Sequence, residues 1–151
     1  MSFLTLRLSA GQAALVQPVN NLGMLKATET QVGGTHYKGQ AYQVVEAAAE
    51  ANLNFFQANI LKYVGRYKGK DGIRDLKKAI HYAELGQELA PQNYATRYYA
   101  HVYSTRNKLS PSQASLVRSI FKQDWPDIID KVQLIIINET KTLEKEMKIN
   151  P

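Results

Sequence analysis

Phe55-Phe56-Gln57-Ala58-Asn59-Ile60-Leu61-Lys62-Tyr63-Val64-Gly65-Arg66-Tyr67 is the stretch on which the fold turns. Its apolar and polar positions recur at the helical period. Asn59, Lys62, Tyr63 and Arg66 stand at i, i+3, i+4 and i+7, and so share one face. Ile60, Leu61 and Val64 occupy the adjacent face and can anchor the segment in a core. Asn52-Leu53-Asn54 interrupts the pattern before it, and Lys68-Gly69-Lys70-Asp71-Gly72 supplies a turn after it.

Working outward, Val44, Val45, Ala48 and Ala49 also fall at helical spacing, which predicts a helix over 41–51. A third helix is predicted over 73–89, with Ile73, Leu76, Ile80 and Ala83 on one stripe and Pro91 as the stop. Its other stripe holds Asp75, Lys78, Ala79 and Tyr82 at the spacing seen in the second helix. Two antiparallel helices would therefore bring two mixed basic and aromatic stripes to one groove. Beyond Pro91, Ser110 before Pro111 predicts an N-cap and a helix over 112–123, with a longer one over 126–147. Ile135-Ile136-Ile137 is locally β-prone, yet Ile128, Ile129, Val132, Ile136 and Leu143 keep helical spacing.

The expected fold is thus an all-α small helical bundle with an extended N-terminal arm and C-terminal helices. The segments divide as arm 1–32, helical domain 33–90 and C-terminal helical extension 91–151. The arm alternates briefly through Phe3, Leu4, Leu6 and Leu8, with a helical turn as the alternative over Ala13 to Val16, and is read as an arm or an oligomer contact. Gly33-Gly34 closes it and opens a loop through Gly39. A three-helix core of this size buries limited apolar area, so a homo-oligomer is expected.

Composition narrows the chemistry. The 151 residues carry 19 Lys and Arg against 13 Asp and Glu, a net charge of +6 that favours anionic partners. There is no Cys, which excludes disulfides, thiolate metal sites and Cys nucleophiles and fits a cytoplasmic protein. His36, His81 and His101 are scattered without zinc spacing, and no metal site is expected. Glu46 and Glu50 share a helix face but lack the second acidic pair of a magnesium site. No basic leader precedes the first apolar residues and no uncharged apolar run approaches a membrane span, so no membrane partner is expected.

Gly34-Thr35-His36-Tyr37-Lys38-Gly39-Gln40-Ala41 has the glycine spacing of a phosphate-binding P-loop but lacks its Lys and hydroxyl residue. The two stripes are a better nucleotide site. Arg66 has the planar donor fork for phosphate oxygens, Lys62 and Lys78 are point charges, and tyrosine rings can stack on a base. Composition alone favours the plainer reading, a solvated helix face with Asp75 paired to Lys78. From Asn93 to Gln123 there are five basic and no acidic side chains, with Tyr94 and Tyr98 one turn apart. That interleaving supports a nucleic-acid-binding alternative.

His36-Tyr37, then Asn59 to Arg66 as N-x-x-K-Y-x-x-R, then Asp75 to Tyr82 as D-L-x-K-A-x-x-Y, closely resemble the phage SaV-like domain family. The resemblance covers about His36 to Leu89, and Ala58 stands where that family usually has Gly. The family includes a small nucleotide kinase of the podovirus type. The resemblance implies a phage protein in the cytoplasm of an infected bacterial host, binding nucleotides and moving a phosphoryl group from a nucleoside triphosphate to a deoxynucleoside monophosphate. It makes Arg66, Lys62 and His36 the catalytic candidates. Asn59, Tyr63, Lys70, Asp75, Lys78, Tyr82 and Tyr37 become the candidate nucleotide contacts. A nucleotide-sequestering protein without turnover is the second expectation, using the same stripes.

Overall fold

A computed structural model describes residues 27–29, 39–92 and 97–149 of the chain. Two compact units are distinguished, 1–38 and 39–151. Within the first, only a 3-10 turn over Ala27–Glu29 is described. The remainder of the expected arm and the loop residues His36 and Tyr37 lie outside the described residues. The second unit is all-α, with no strand among the described residues. It comprises α1 (Val44–Glu50), α2 (Phe55–Arg66), α3 (Ile73–Leu89), α4 (Arg97–Arg106), α5 (Pro111–Lys122) and α6 (Trp125–Ile149).

The helix starts follow local capping chemistry. Asn54 Oδ1 accepts from Gln57 N at 2.9 Å, and Gln57 Oε1 accepts from Asn54 N at 3.0 Å, a reciprocal box at the head of α2. Ser110 and Gln113 build the same box on α5, with Pro111 at the first helical position. α1 begins at Val44, later than the predicted Ala41. The cause is tertiary, because Asn107 clasps the Tyr42 backbone by accepting from its N–H at 3.2 Å and donating to its C=O at 2.9 Å. Glu46 then caps the Gln43 N–H at 2.7 Å, and Glu50 accepts from the Tyr42 hydroxyl. Both acidic groups of α1 are thereby consumed in structure.

α3 packs against both α2 and α6, and α5 packs against α4, α6 and α2. One core runs through all six helices, from Tyr42 and Ala47 through Ile60, Leu61, Leu76 and Ala83 to Phe121, Ile128 and Val132. The segment after Pro91, set apart by the sequence as an extension, shares this core. Gln57 shows how closely it is integrated. Its fully buried Nε2 donates to the carbonyls of Ile120 at 2.9 Å and Phe121 at 3.2 Å, so the residue that caps the head of α2 also satisfies the tail of α5.

α6 is helical through Ile135–Ile137, as the spacing predicts. Ile128 and Val132 are buried, and Tyr67, in the 3-10 turn that follows α2, donates to Glu139 at 3.2 Å. Past that bond the helix leaves the core. Residues 140–149 are all exposed, including Leu143 and Met147. No helix among the described residues is long and apolar enough to cross a membrane.

α3 is packed tightly against α6 at Gly86, where an added Cβ would lie 2.8 Å from two ring carbons of Trp125. Gly86→Ala should therefore destabilise the fold by about 1–3 kcal/mol through overpacking, more than the ~1 kcal/mol that alanine's helix propensity returns. Trp125 is the chain's single tryptophan. Thermal unfolding read by its fluorescence should show a lower midpoint and an altered native spectrum, and an unchanged or raised midpoint would refute the close packing.

Candidate functional site

The turn after α2 reverses the chain at Gly72, whose φ of 53° falls in the left-handed region where glycine carries no side-chain penalty. α3 then runs back beside α2, and the two polar stripes meet. They do not form a solvated face. Asp75 is fully buried, and so is Ala79 from the same stripe.

Asp75 organises what surrounds it. Arg66 donates to it in a two-pronged fashion, Nε to Oδ2 at 2.9 Å and Nη2 to Oδ1 at 3.2 Å. Lys78 Nζ donates to Oδ1 at 3.0 Å and also reaches Asp71 at 3.1 Å. Burial opposes ionisation of Asp75, but the hydrogen bonds and charges of Arg66 and Lys78 outweigh it, and its carboxyl is held below the usual range. The Arg66 fork, expected to await a phosphate, is thus turned onto a protein carboxylate. Asp75 holds cations in position and has no exposed edge to offer a ligand.

Those cations surround one ring. Lys62 Nζ lies 4.4 Å, Arg66 Cζ 4.9 Å and Lys78 Nζ 5.3 Å from the Tyr63 centroid. Tyr63 in turn stacks on Tyr82, with centroids 5.7 Å apart and planes at 27°. Phe55 meets Tyr82 edge-on at 5.7 Å and stays largely exposed. Lys62 has no carboxylate partner among the described residues. Its Nζ donates to Asn59 Oδ1 at 2.6 Å, while Asn59 Nδ2 donates to the Phe55 carbonyl at 2.8 Å. Desolvation, then the nearby charges of Arg66 and Lys78, hold the Lys62 ammonium below the ordinary lysine value, against the pull of Asp75. A cation in this setting is under-compensated, which is the condition an anionic ligand relieves.

Of the sequence-derived candidates, Asn59, Lys62, Tyr63, Arg66, Asp75, Lys78 and Tyr82 are brought together on α2 and α3. Lys70 is exposed in the intervening turn. Phe55 was missed. It continues the α2 stripe one turn back from Asn59, and extending the same period by four residues would have found it.

A family model described as a protein of unknown function, DUF3310, matches residues 32–84. The matched stretch takes in α1, α2 and most of α3, and so the whole of the cluster around Tyr63. The chain matches no curated protein and no solved structure.

The depressed carboxyl of Asp75 has a signed consequence. Its stabilising contribution is present above the unfolded carboxylate value, near 3.9, and is lost as pH falls through the lower folded value. Asp75→Asn should destabilise the protein at neutral pH by roughly 3 kcal/mol, because Arg66 loses its buried partner. It should also flatten the acid limb of stability. Urea unfolding measured from about pH 6 to pH 2 tests both statements, and a variant as acid-sensitive as the parent would remove Asp75 as the ionised partner.

Proposed function

We propose that the cluster on α2 and α3 is a nucleotide site, and that the protein is a nucleotide kinase-like phosphotransferase. The observation that supports this most is the gathering of Lys62, Arg66 and Lys78 within 5.3 Å of the Tyr63 ring, beside the aromatic ledge of Tyr63, Tyr82 and Phe55. A base or sugar would lie on the ledge, with Asn59 at its edge. The phosphates would meet the cationic end.

In the proposed reaction a phosphate oxygen of a deoxynucleoside monophosphate attacks the γ-phosphorus of a nucleoside triphosphate. The bond to the β-γ bridging oxygen breaks, leaving a nucleoside diphosphate and a deoxynucleoside diphosphate. Such a transfer needs aligned substrates and charge compensation more than covalent help from the protein. Lys62 is the principal phosphate contact in this reading. Lys78 and Arg66 contribute their field from positions fixed by Asp75. Lys70 would reach phosphates from the turn.

A protein that binds nucleotides without turnover uses the same residues, and one experiment separates the two. Purified protein is incubated with mixed deoxynucleoside monophosphates and triphosphates, and the products are resolved by chromatography. New diphosphates support the kinase, whereas binding with no product supports sequestration.

Lys62→Met should weaken nucleotide binding at least about ten-fold, the scale of a lost charge-assisted contact. The unliganded protein should melt at the same temperature or higher, because the substitution relieves desolvation and repulsion from Arg66 and Lys78. Calorimetry on the two proteins decides it. Equal affinity, or a clear loss of stability, would show that Lys62 is a structural cation and would sink the site.

The exposed apolar side chains of α6, Leu134, Ile137, Leu143 and Met147, support the further proposal that a second copy of the chain covers this helix. Light scattering at micromolar concentration should give a mass above that of the monomer, and Leu143→Lys with Met147→Lys should lower it.

A further inference from the structure

A second cationic site lies on α4 and α5, beyond the residues that the family model matches. A cavity of about 250 Å³ opens between the end of α4 and the side of α5, and His101, Ser104, Thr105, Lys108 and Arg118 supply its polar lining. Ala100, Leu109 and Ala114 complete the lining. Lys108 and Arg118 are exposed and make no ion pair or hydrogen bond among the described residues through their side chains. The segment 93–123 contains no acidic side chain that could neutralise them.

α4 places an aromatic group on the same line. Tyr98, His101, Thr105 and Lys108 follow one another at i, i+3, i+7 and i+10, so they form a single stripe up the helix and its terminal turn. Tyr98 is 67% exposed, an unusual position for a ring with so much apolar area, and it meets Tyr99 edge-on with centroids 5.4 Å apart. Lys108 is fixed at the other end of the stripe by a left-handed backbone, φ 52°, that closes α4, with its N–H bonded to the Thr105 carbonyl at 3.1 Å. The spacing of the stripe, about 15 Å at the rise of a helix, spans more than one nucleotide of an extended strand.

We propose that this stripe and cavity bind single-stranded nucleic acid, with backbone phosphate held by Lys108, Arg118 and the hydroxyls of Ser104 and Thr105, and with a base stacked on Tyr98. Cations on hydroxyl-lined ground beside an exposed ring are the elements by which sequence-tolerant strand binding operates. A mononucleotide would use the cavity alone and leave Tyr98 idle. A duplex would present its phosphates but no base face to the ring.

The test uses the full chain and a fluorescently labelled oligothymidylate of about 12 nucleotides, read by anisotropy over a range of salt concentrations. The parent protein should bind, with affinity falling steeply as salt rises. Lys108→Asn with Arg118→Gln should weaken binding at least about ten-fold and reduce the logarithmic salt slope by about 1.4, the share of two phosphate contacts on a single strand. Asparagine is chosen because it tolerates the left-handed backbone. Tyr98→Ala should weaken binding at least about five-fold while leaving the salt slope unchanged.

Lys62→Met separates this site from the one on α2 and α3, since it should leave oligonucleotide binding intact whether or not it impairs nucleotide binding. Binding that ignores the Lys108 and Arg118 changes in a protein with native circular dichroism overturns the proposal. So does binding in which thymidine monophosphate competes as well as the oligonucleotide, or in which a duplex of equal length binds as tightly as the single strand.

Discussion

The buried carboxylate of Asp75 is the constraint around which the rest of the molecule is arranged. Removing an ionised carboxylate from water costs several kcal/mol even after relaxation, and only close, well-directed cations make it tolerable. Arg66 arrives from α2 and Lys78 from one turn further along α3, so the compensation is possible only if the two helices lie antiparallel at one particular register. The short turn through Gly72 sets the direction, and the ion pair sets the alignment. A sliding of one helix along the other would leave either the carboxylate or the guanidinium buried without its partner.

The same requirement concentrates positive charge. Arg66 and Lys78 are held near Tyr63 because Asp75 needs them there, and Lys62, one turn before Arg66, is drawn into the same neighbourhood without an acidic partner among the described residues. The stacked pair Tyr63 and Tyr82 gives the cations a polarisable surface, which lowers the cost of crowding like charges. Structure and candidate site are therefore not separable on these helices. The group that aligns the scaffold also fixes the electrostatic potential at its surface.

The helices after Pro91 contribute by holding this pair from behind. Gln57 joins the head of α2 to the last carbonyls of α5, and Tyr67 joins the end of α2 to α6. Trp125 lies on Gly86, which leaves α3 no room to move toward α6. Ser119, Asp127 and Lys131 tie α5 to α6 in a further polar cluster. The contacts of Gln57, Tyr67 and Gly86 span long stretches of sequence and use a polar or small residue where an aliphatic one would leave a helix end or a crossing unsatisfied. The polar stripe on α4 takes no part in these contacts.

Five of the six described helices were determined by the sequence, and α4 was not read from it. Periodicity, the caps at Asn54 and Ser110, and the breaks at Gly72 and Pro91 act within a few residues, so they can be read without knowing what packs where. The same holds for the stripe that joins Asn59, Lys62, Tyr63 and Arg66, since one helix suffices to define it. Tertiary structure decided what the stripe does. Whether Asp75 faces water or lies buried, whether Arg66 offers its fork outward or spends it on a carboxylate, and why α1 starts at Val44 all depend on groups that approach from another helix. Burial and charge compensation are properties of pairs of distant segments, and periodicity, a property of one segment, does not contain them.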